Sequence, residues 1–206
     1  MSDAEFVKPN VVSEPPAQFG GKWTLDKAED VVKYARAYLT IMKKYGFQTL
    51  YFDGFAGSGD VVMRDGQSAM ESVALQVMGI DDPGPFDMYY LVELDPKRAE
   101  RLRELCKARH PGKQVFVVSE DCIVKLKDFA AFMKKHKGLR ALAFLDPYGM
   151  QVSHESLKVF KGLSVDMWIL FPSAIGIGRM LQNDIRKIPE RHWELMTKTL
   201  GMNRME

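Results

Sequence analysis

The sequence predicts an α/β fold, a central and mostly parallel sheet flanked by helices. Three observations predict it. Five short apolar runs, Thr49 to Asp53, Met88 to Leu94, Val115 to Val118, Ala141 to Leu145 and Val165 to Phe171, alternate with segments of helical periodicity. The second run is almost continuously apolar, as suits a strand buried on both faces. The first run ends in Asp53 and passes into Gly54, Gly57 and Gly59, the way a strand feeds a loop that must approach a ligand closely.

Taken in order, residues 1–22 carry Pro9, Pro15 and Pro16 without helical periodicity and read as an extended arm. Residues 23–206 read as one domain, since no repeat or composition break divides them. Asp26 with Glu29 has capping-box spacing, and Val31, Val32, Ala35, Tyr38, Leu39 and Met42 recur at helical intervals, so the first helix is expected over Asp26 to Lys44. After strand one and its glycine loop, Asp60 to Gln67 reads as a polar surface excursion. Ser68 and Glu71 suggest a second capping box opening a helix from Ala69 to about Met78. The break Asp81-Asp82-Pro83-Gly84-Pro85 precedes strand two, and Asp95-Pro96 starts the next helix, with proline where a missing N–H costs nothing. His110-Pro111-Gly112 ends that helix near Arg109. Strand three leads into a helix over Ile123 to Lys137, strand four into a helix over His154 to Lys161, and strand five closes at Pro172. From Ser173 onward the pattern is mostly helical, clearest from Trp193 to Leu200.

Composition narrows the class. No apolar run approaches the roughly 20 residues that span a bilayer, and the N-terminus lacks the basic and apolar regions of a signal peptide. Cys106 and Cys122 are too few for a disulfide framework, and no Cys/His cluster has zinc-ligand spacing, so the expectation is a cytoplasmic protein without structural metal. From Lys97 to Arg140 about 13 Lys and Arg face about 5 Asp and Glu, a local excess of roughly +8. That excess suits a nucleic-acid partner or, equally, the solvated faces of two helices. No aromatic residues interleave with the basic ones in sequence to stack single-stranded bases.

The glycine order is not the Gly-x-Gly-x-x-Gly of dinucleotide folds. Phe52-Asp53-Gly54-Phe55-Ala56-Gly57-Ser58-Gly59 resembles the first motif of class I S-adenosylmethionine-dependent methyltransferases, which have a Rossmann-like fold. The resemblance implies that Asp53, Gly54, Phe55, Ala56, Gly57 and Gly59 line S-adenosylmethionine, the acid near its amino group. Glu93, with Leu94 beside it, ends strand two, where a carboxylate can accept from both ribose hydroxyls. Asp95 is its rival, but Pro96 directly after it marks it as a helix cap. Asp121 ends strand three, where it can accept from the adenine amino group while the Cys122 N–H donates to the ring. Cys122 is open to two readings, an inert small residue or a nucleophile, and the first is favoured because cytosine-carbon methylation places its cysteine after strand four.

Phe144-Leu145-Asp146-Pro147-Tyr148-Gly149 resembles the Asp/Asn-Pro-Pro-Tyr motif of enzymes that methylate exocyclic amines. An aryl amine is a poor nucleophile, its lone pair delocalised into the ring. The Asp146 carboxylate and Pro147 carbonyl can accept its two N–H bonds and aim the nitrogen, while Tyr148 stacks on a base taken out of its strand. The second proline is missing, and Asp-Pro-Tyr-Gly is closer to the Asp-Pro-Phe-Gly of tRNA guanine dimethyltransferases, which leaves the base open. With Lys22-Trp23-Thr24, Tyr34 to Tyr38, Glu93-Leu94-Asp95-Pro96-Lys97-Arg98 and Leu170-Phe171-Pro172, most of the chain resembles the three-Cys-motif partner proteins. That resemblance implies a methyltransferase-like domain over 23–206 and a partner protein carrying three cysteines, while the expectation of a nucleic-acid substrate, DNA or RNA, comes from the Asp146-Pro147-Tyr148 motif. Arg179 is a further candidate, for a phosphate contact. Methyltransferase sheets add an antiparallel hairpin after the fifth strand, and none is legible here. Either the edge is built differently or the sheet is truncated at its C-terminal edge in a fragment of a longer chain, and the second is the favoured expectation.

Overall fold

A computed structural model describes residues 22–62, 69–171, 178–181 and 185–201. The arm lies almost wholly outside the described residues, as do Pro172 and the Arg179 side chain. The first helix, α1, is Lys22–Lys44, and it leads into strand β1, Gln48–Asp53. The short strands β2, Asp60–Val62, and β3, Ala69–Glu71, pair antiparallel. Then come α2, Val73–Met78; β4, Met88–Glu93; α3, Pro96–Arg109; β5, Val115–Ser119; and α4, Cys122–Lys135. Strand β6, Leu139–Leu145, helix α5, His154–Lys158, and strand β7, Val165–Ile169, complete the alternation. Beyond them lie α6, Gly178–Met180, a 3-10 turn at Ile185–Lys187, and α7, Glu190–Leu200.

The five long strands form one parallel sheet in the order β5-β4-β1-β6-β7. Side-chain alternation along them builds two cores. Tyr51, Tyr89, Leu91, Leu142 and Phe144 pack with α1, α2 and α3, while Phe52, Val92, Ala143 and Leu145 pack with α4 and α5. On the second face Phe52 stacks on Phe129 with ring centroids 4.4 Å apart. Successive strands step one way from β1 through β4 to β5, then return to β6 on the other side of β1. The switch point is therefore the gap between β1 and β6, where Asp53 pairs in register with Phe144.

Three sequence expectations are corrected. α1 begins at Lys22, so Asp26 lies exposed inside the helix and does not cap it. Ala69–Glu71 is a strand, and the cap position of α2 falls to Ser72. The capping-box reading of Glu71 failed because Glu71 answers to a distant residue: the Arg109 guanidinium bridges Asp60 and Glu71 across the β2–β3 pair, 3.0 Å from each. The basic stretch is also less free than its count suggests. Arg101 pairs with Asp60 and Glu104, Arg103 with Glu100, Lys113 with Asp81 and the Met78 carbonyl, and Lys125 with Asp128. Among the described residues no strand follows β7, and no helix is long and apolar enough to cross a membrane.

Candidate active site

The chain leaving β1 does not separate from the sheet at once. Gly54 N–H donates to the Phe144 carbonyl of β6 at 3.0 Å, and Ala56 N–H to the Val92 carbonyl of β4 at 2.9 Å. A side chain on Gly54 would stand 2.6 Å from both Cys122 Sγ and Leu145, so glycine is required there by packing. Gly57 and Gly59 both take positive φ, +69° and +92°. Their surroundings differ. A Cβ on Gly59 would meet Leu105 at 2.8 Å and Leu102 at 3.1 Å, whereas one on Gly57 would meet nothing within 4 Å. Among the described residues, the N–H groups of Gly57, Ser58 and Gly59 have no acceptor. The loop thus has a packed half at Gly54 and Gly59, and an open half at Gly57 with donors to spare.

Asp53 lies under this loop, 2% exposed. Its Oδ1 accepts from Phe55 N–H at 3.0 Å and its Oδ2 from the Tyr51 hydroxyl at 3.4 Å. Burial pushes its pKa up to about 7; nearby Asp146 adds to the rise, against the Phe55 N–H, the Tyr51 hydroxyl and Lys27. Across the switch point Asp146 follows β6, and Lys27 of α1 donates to its Oδ2 at 2.6 Å. The lysine side chain is 13% exposed and the aspartate 33%. Sequence reasoning missed Lys27. The available signal was a lysine one turn ahead of Val31 on the helix face that buries Ala28, Val31 and Ala35.

The other candidates reach the same end of the sheet. Glu93 is buried to 9% and accepts from Asp95 N–H through Oε1. Asp95 caps α3, accepting from Lys97 and Arg98 N–H at 2.8 and 2.9 Å, as the following proline indicated. Leu94 stands 67% exposed beside them. Asp121 also caps a helix: its Oδ1 accepts from Ile123 and Val124 N–H at the start of α4. The Cys122 thiol is buried and pushed up to about 12 by that burial, then by Asp53 and Asp121, which favours the reading of an inert small residue. Tyr148 is 63% exposed. Partial burial raises its hydroxyl, opposed by Arg98 and reinforced by Asp146 and Glu93. Pro147 helps wall an apolar cavity of about 100 Å³ with Met150, Leu157, Ile169, Phe171 and Thr199.

The arrangement sets a glycine loop with open donors, an adjacent carboxylate pair and an exposed tyrosine around one switch point. One solved structure shows a similar architecture. The chain superposes on protein LPL1258 from Legionella pneumophila with a TM-score of 0.53 and 16% identity, over 71% of this chain and 67% of that one. That likeness shows the fold. Weaker likenesses join it to yhhF of Escherichia coli, a candidate methyltransferase (TM-score 0.41, 15% identity, 75% and 72% of the two chains). The third is Trm1 of Pyrococcus horikoshii, solved with S-adenosylmethionine (TM-score 0.40, 10% identity, 69% and 36%). Superpositions this loose carry nothing about the chemistry of this chain. No protein-family model matches the sequence, and no curated protein matches it at a significant level. What the site can do therefore rests on its own residues.

Proposed function

We propose that this chain is an S-adenosylmethionine-dependent methyltransferase acting on an exocyclic amine of a nucleobase in DNA or RNA. The observation that carries the reading is the pairing, at one switch point, of an Asp53-glycine loop open at Gly57 with the Asp146-Pro147-Tyr148 loop. The residues present fit the cofactor: Gly57 leaves the room a side chain would fill, the N–H groups of Gly57, Ser58 and Gly59 lack acceptors among the described residues, and Glu93 keeps one carboxylate oxygen beyond its bond to Asp95. When bound, S-adenosylmethionine supplies an electrophilic methyl group on a sulfonium. Asp53 then faces its ammonium, Glu93 the ribose and Asp121 the adenine edge. Asp146 and Pro147 accept the two N–H bonds of the acceptor amine and orient its lone pair, and Tyr148 offers an exposed ring to the base. A partner protein carrying three cysteines belongs to the same proposal and rests on motif resemblance alone.

One observation favours a second reading, a binding module without turnover. Lys27 occupies the Asp146 oxygen that the amine needs. Calorimetric titration of S-adenosylmethionine, beside a Gly57→Asp variant, and methyl transfer from labelled cofactor to RNA and DNA pools separate the two. An active enzyme binds the cofactor, loses binding in Gly57→Asp, and loses turnover but keeps binding in Asp146→Ala. Equal loss of both in Asp146→Ala would refute this division of roles, and binding without transfer to any pool would favour the module.

A further inference from the structure

The opposite end of the sheet carries a feature that the proposed reaction does not use. α1 ends in Lys44, and the chain passes through Tyr45 and Phe47 into β1, whose first residues pair with Leu139 and Arg140 of β6. The Arg140 guanidinium lies over the Phe47 ring, 4.1 Å from its centroid, and donates to the Lys137 carbonyl. Tyr45 is 65% exposed, its ring 6.5 Å from Phe47 and 5.8 Å from the Lys44 ammonium. Just before β6, the end of α4 stacks the exposed Phe132 on His136 with centroids 4.1 Å apart, and Leu139 N–H donates to the His136 carbonyl. The β1–β6 pairing thus adds a cation from β6 to the rings that follow α1.

We propose that this face binds single-stranded nucleic acid, bases stacking on Tyr45 and its neighbours while Lys44, Lys137 and Arg140 meet the phosphates. Lysines at helix ends are ordinary, because they complement the helix dipole. Tyr45 sets an exposed ring beside those cations. The carboxylates nearest these strand starts are engaged within the fold, Asp87 by the Thr49 N–H and hydroxyl and Asp166 by the Tyr34 hydroxyl. An acidic peptide would satisfy the cations and leave the rings unused, and a duplex hides its base faces, so a single strand matches both halves of the surface. At about 3.3 Å per residue β1 places this face roughly 20 Å from Asp53, so the site stands whether or not the other end transfers methyl groups.

Fluorescence anisotropy with labelled oligouridylate at low salt tests it, on the whole chain. Tyr45→Ala should weaken binding by roughly tenfold. Lys44→Glu with Lys137→Glu should weaken it further and make the salt dependence shallower, by about 0.7 in log–log slope for each phosphate no longer neutralised. Both variants should keep the far-ultraviolet spectrum and S-adenosylmethionine affinity of the wild type. Failure of wild type to bind oligouridylate would overturn the proposal. So would equal binding by wild type and Tyr45→Ala, or a matched duplex binding as tightly as the single strand. Loss of binding in Tyr148→Ala but not in Tyr45→Ala would assign the strand to the other end of the sheet.

Discussion

Asp53 is a carboxylate held where burial opposes its charge, with a pKa of about 7 when folded against about 3.9 when unfolded. Between those values the folded chain keeps a proton that the unfolded chain has released. Its contribution to stability is therefore greatest on the acid side, falls as pH rises through this window, and levels off above about pH 7. Asp53→Asn removes the titration and keeps an acceptor for Phe55 N–H. It should stabilise the fold by up to about 4 kcal/mol near pH 8 and by much less near pH 5. Urea denaturation at both pH values measures this, and an equal effect at both would mean that Asp53 titrates normally. The same residue makes a binding prediction. A ligand ammonium beside Asp53 favours its ionised form, so S-adenosylmethionine should bind more tightly at about pH 7 than at about pH 5.5, by up to tenfold per unit. A flat calorimetric profile would remove Asp53 from the cofactor site. Little of this electrostatic setting was legible in sequence, because Lys27 and Asp146 are 119 residues apart and no local pattern joins them.

At the scale of elements, the glycine loop separates two roles that the motif presents as one. Gly59 needs both its positive φ and its missing side chain, since a Cβ would press on Leu105, Leu102 and Leu75. Gly57 needs only its φ. Gly59→Ala should therefore cost about 2–4 kcal/mol, backbone strain plus overpacking, and Gly57→Ala about 1 kcal/mol. Denaturant midpoints read the difference. Equal costs would mean that the open space at Gly57 does not exist in solution. The strands were legible because apolar runs report burial directly, and the cap at Asp95 because both it and Pro96 are local. The β2–β3 pair was not. Ser68 and Glu71 carry helix-start spacing, and what overrules it is Arg109, reaching Asp60 and Glu71 from the far end of α3.

Over the whole molecule, stability is unevenly spread, and the uneven part borders the candidate acceptor loop. β1 and β6 sit inside the sheet with helices on both faces, and residues 50–53 and 141–145 are buried without exception. α7 rests instead on a small separate cluster of Met180, Ile188 and Met196, with Met150 and Trp193 packed against it, and it ends at Gly201 against His154. The sequence marked Trp193 to Leu200 as helical but offered no docking partner, because among the described residues these contacts are few and join segments distant in sequence. Few buried contacts imply a low local opening free energy. α7 amides should accordingly exchange with deuterium much faster than those of β1 and β6. Met196→Ala should speed α7 exchange by roughly thirtyfold, the equivalent of about 2 kcal/mol, while β1 amides keep their wild-type protection. Thr199 lines the cavity that Pro147 also lines, so this opening would uncover one wall of the candidate acceptor loop without unfolding the strand end that carries Asp53. If α7 and β1 amides exchange at one common rate that Met196→Ala shifts together, then α7 belongs to the global folding unit and the acceptor loop has no independently opening neighbour.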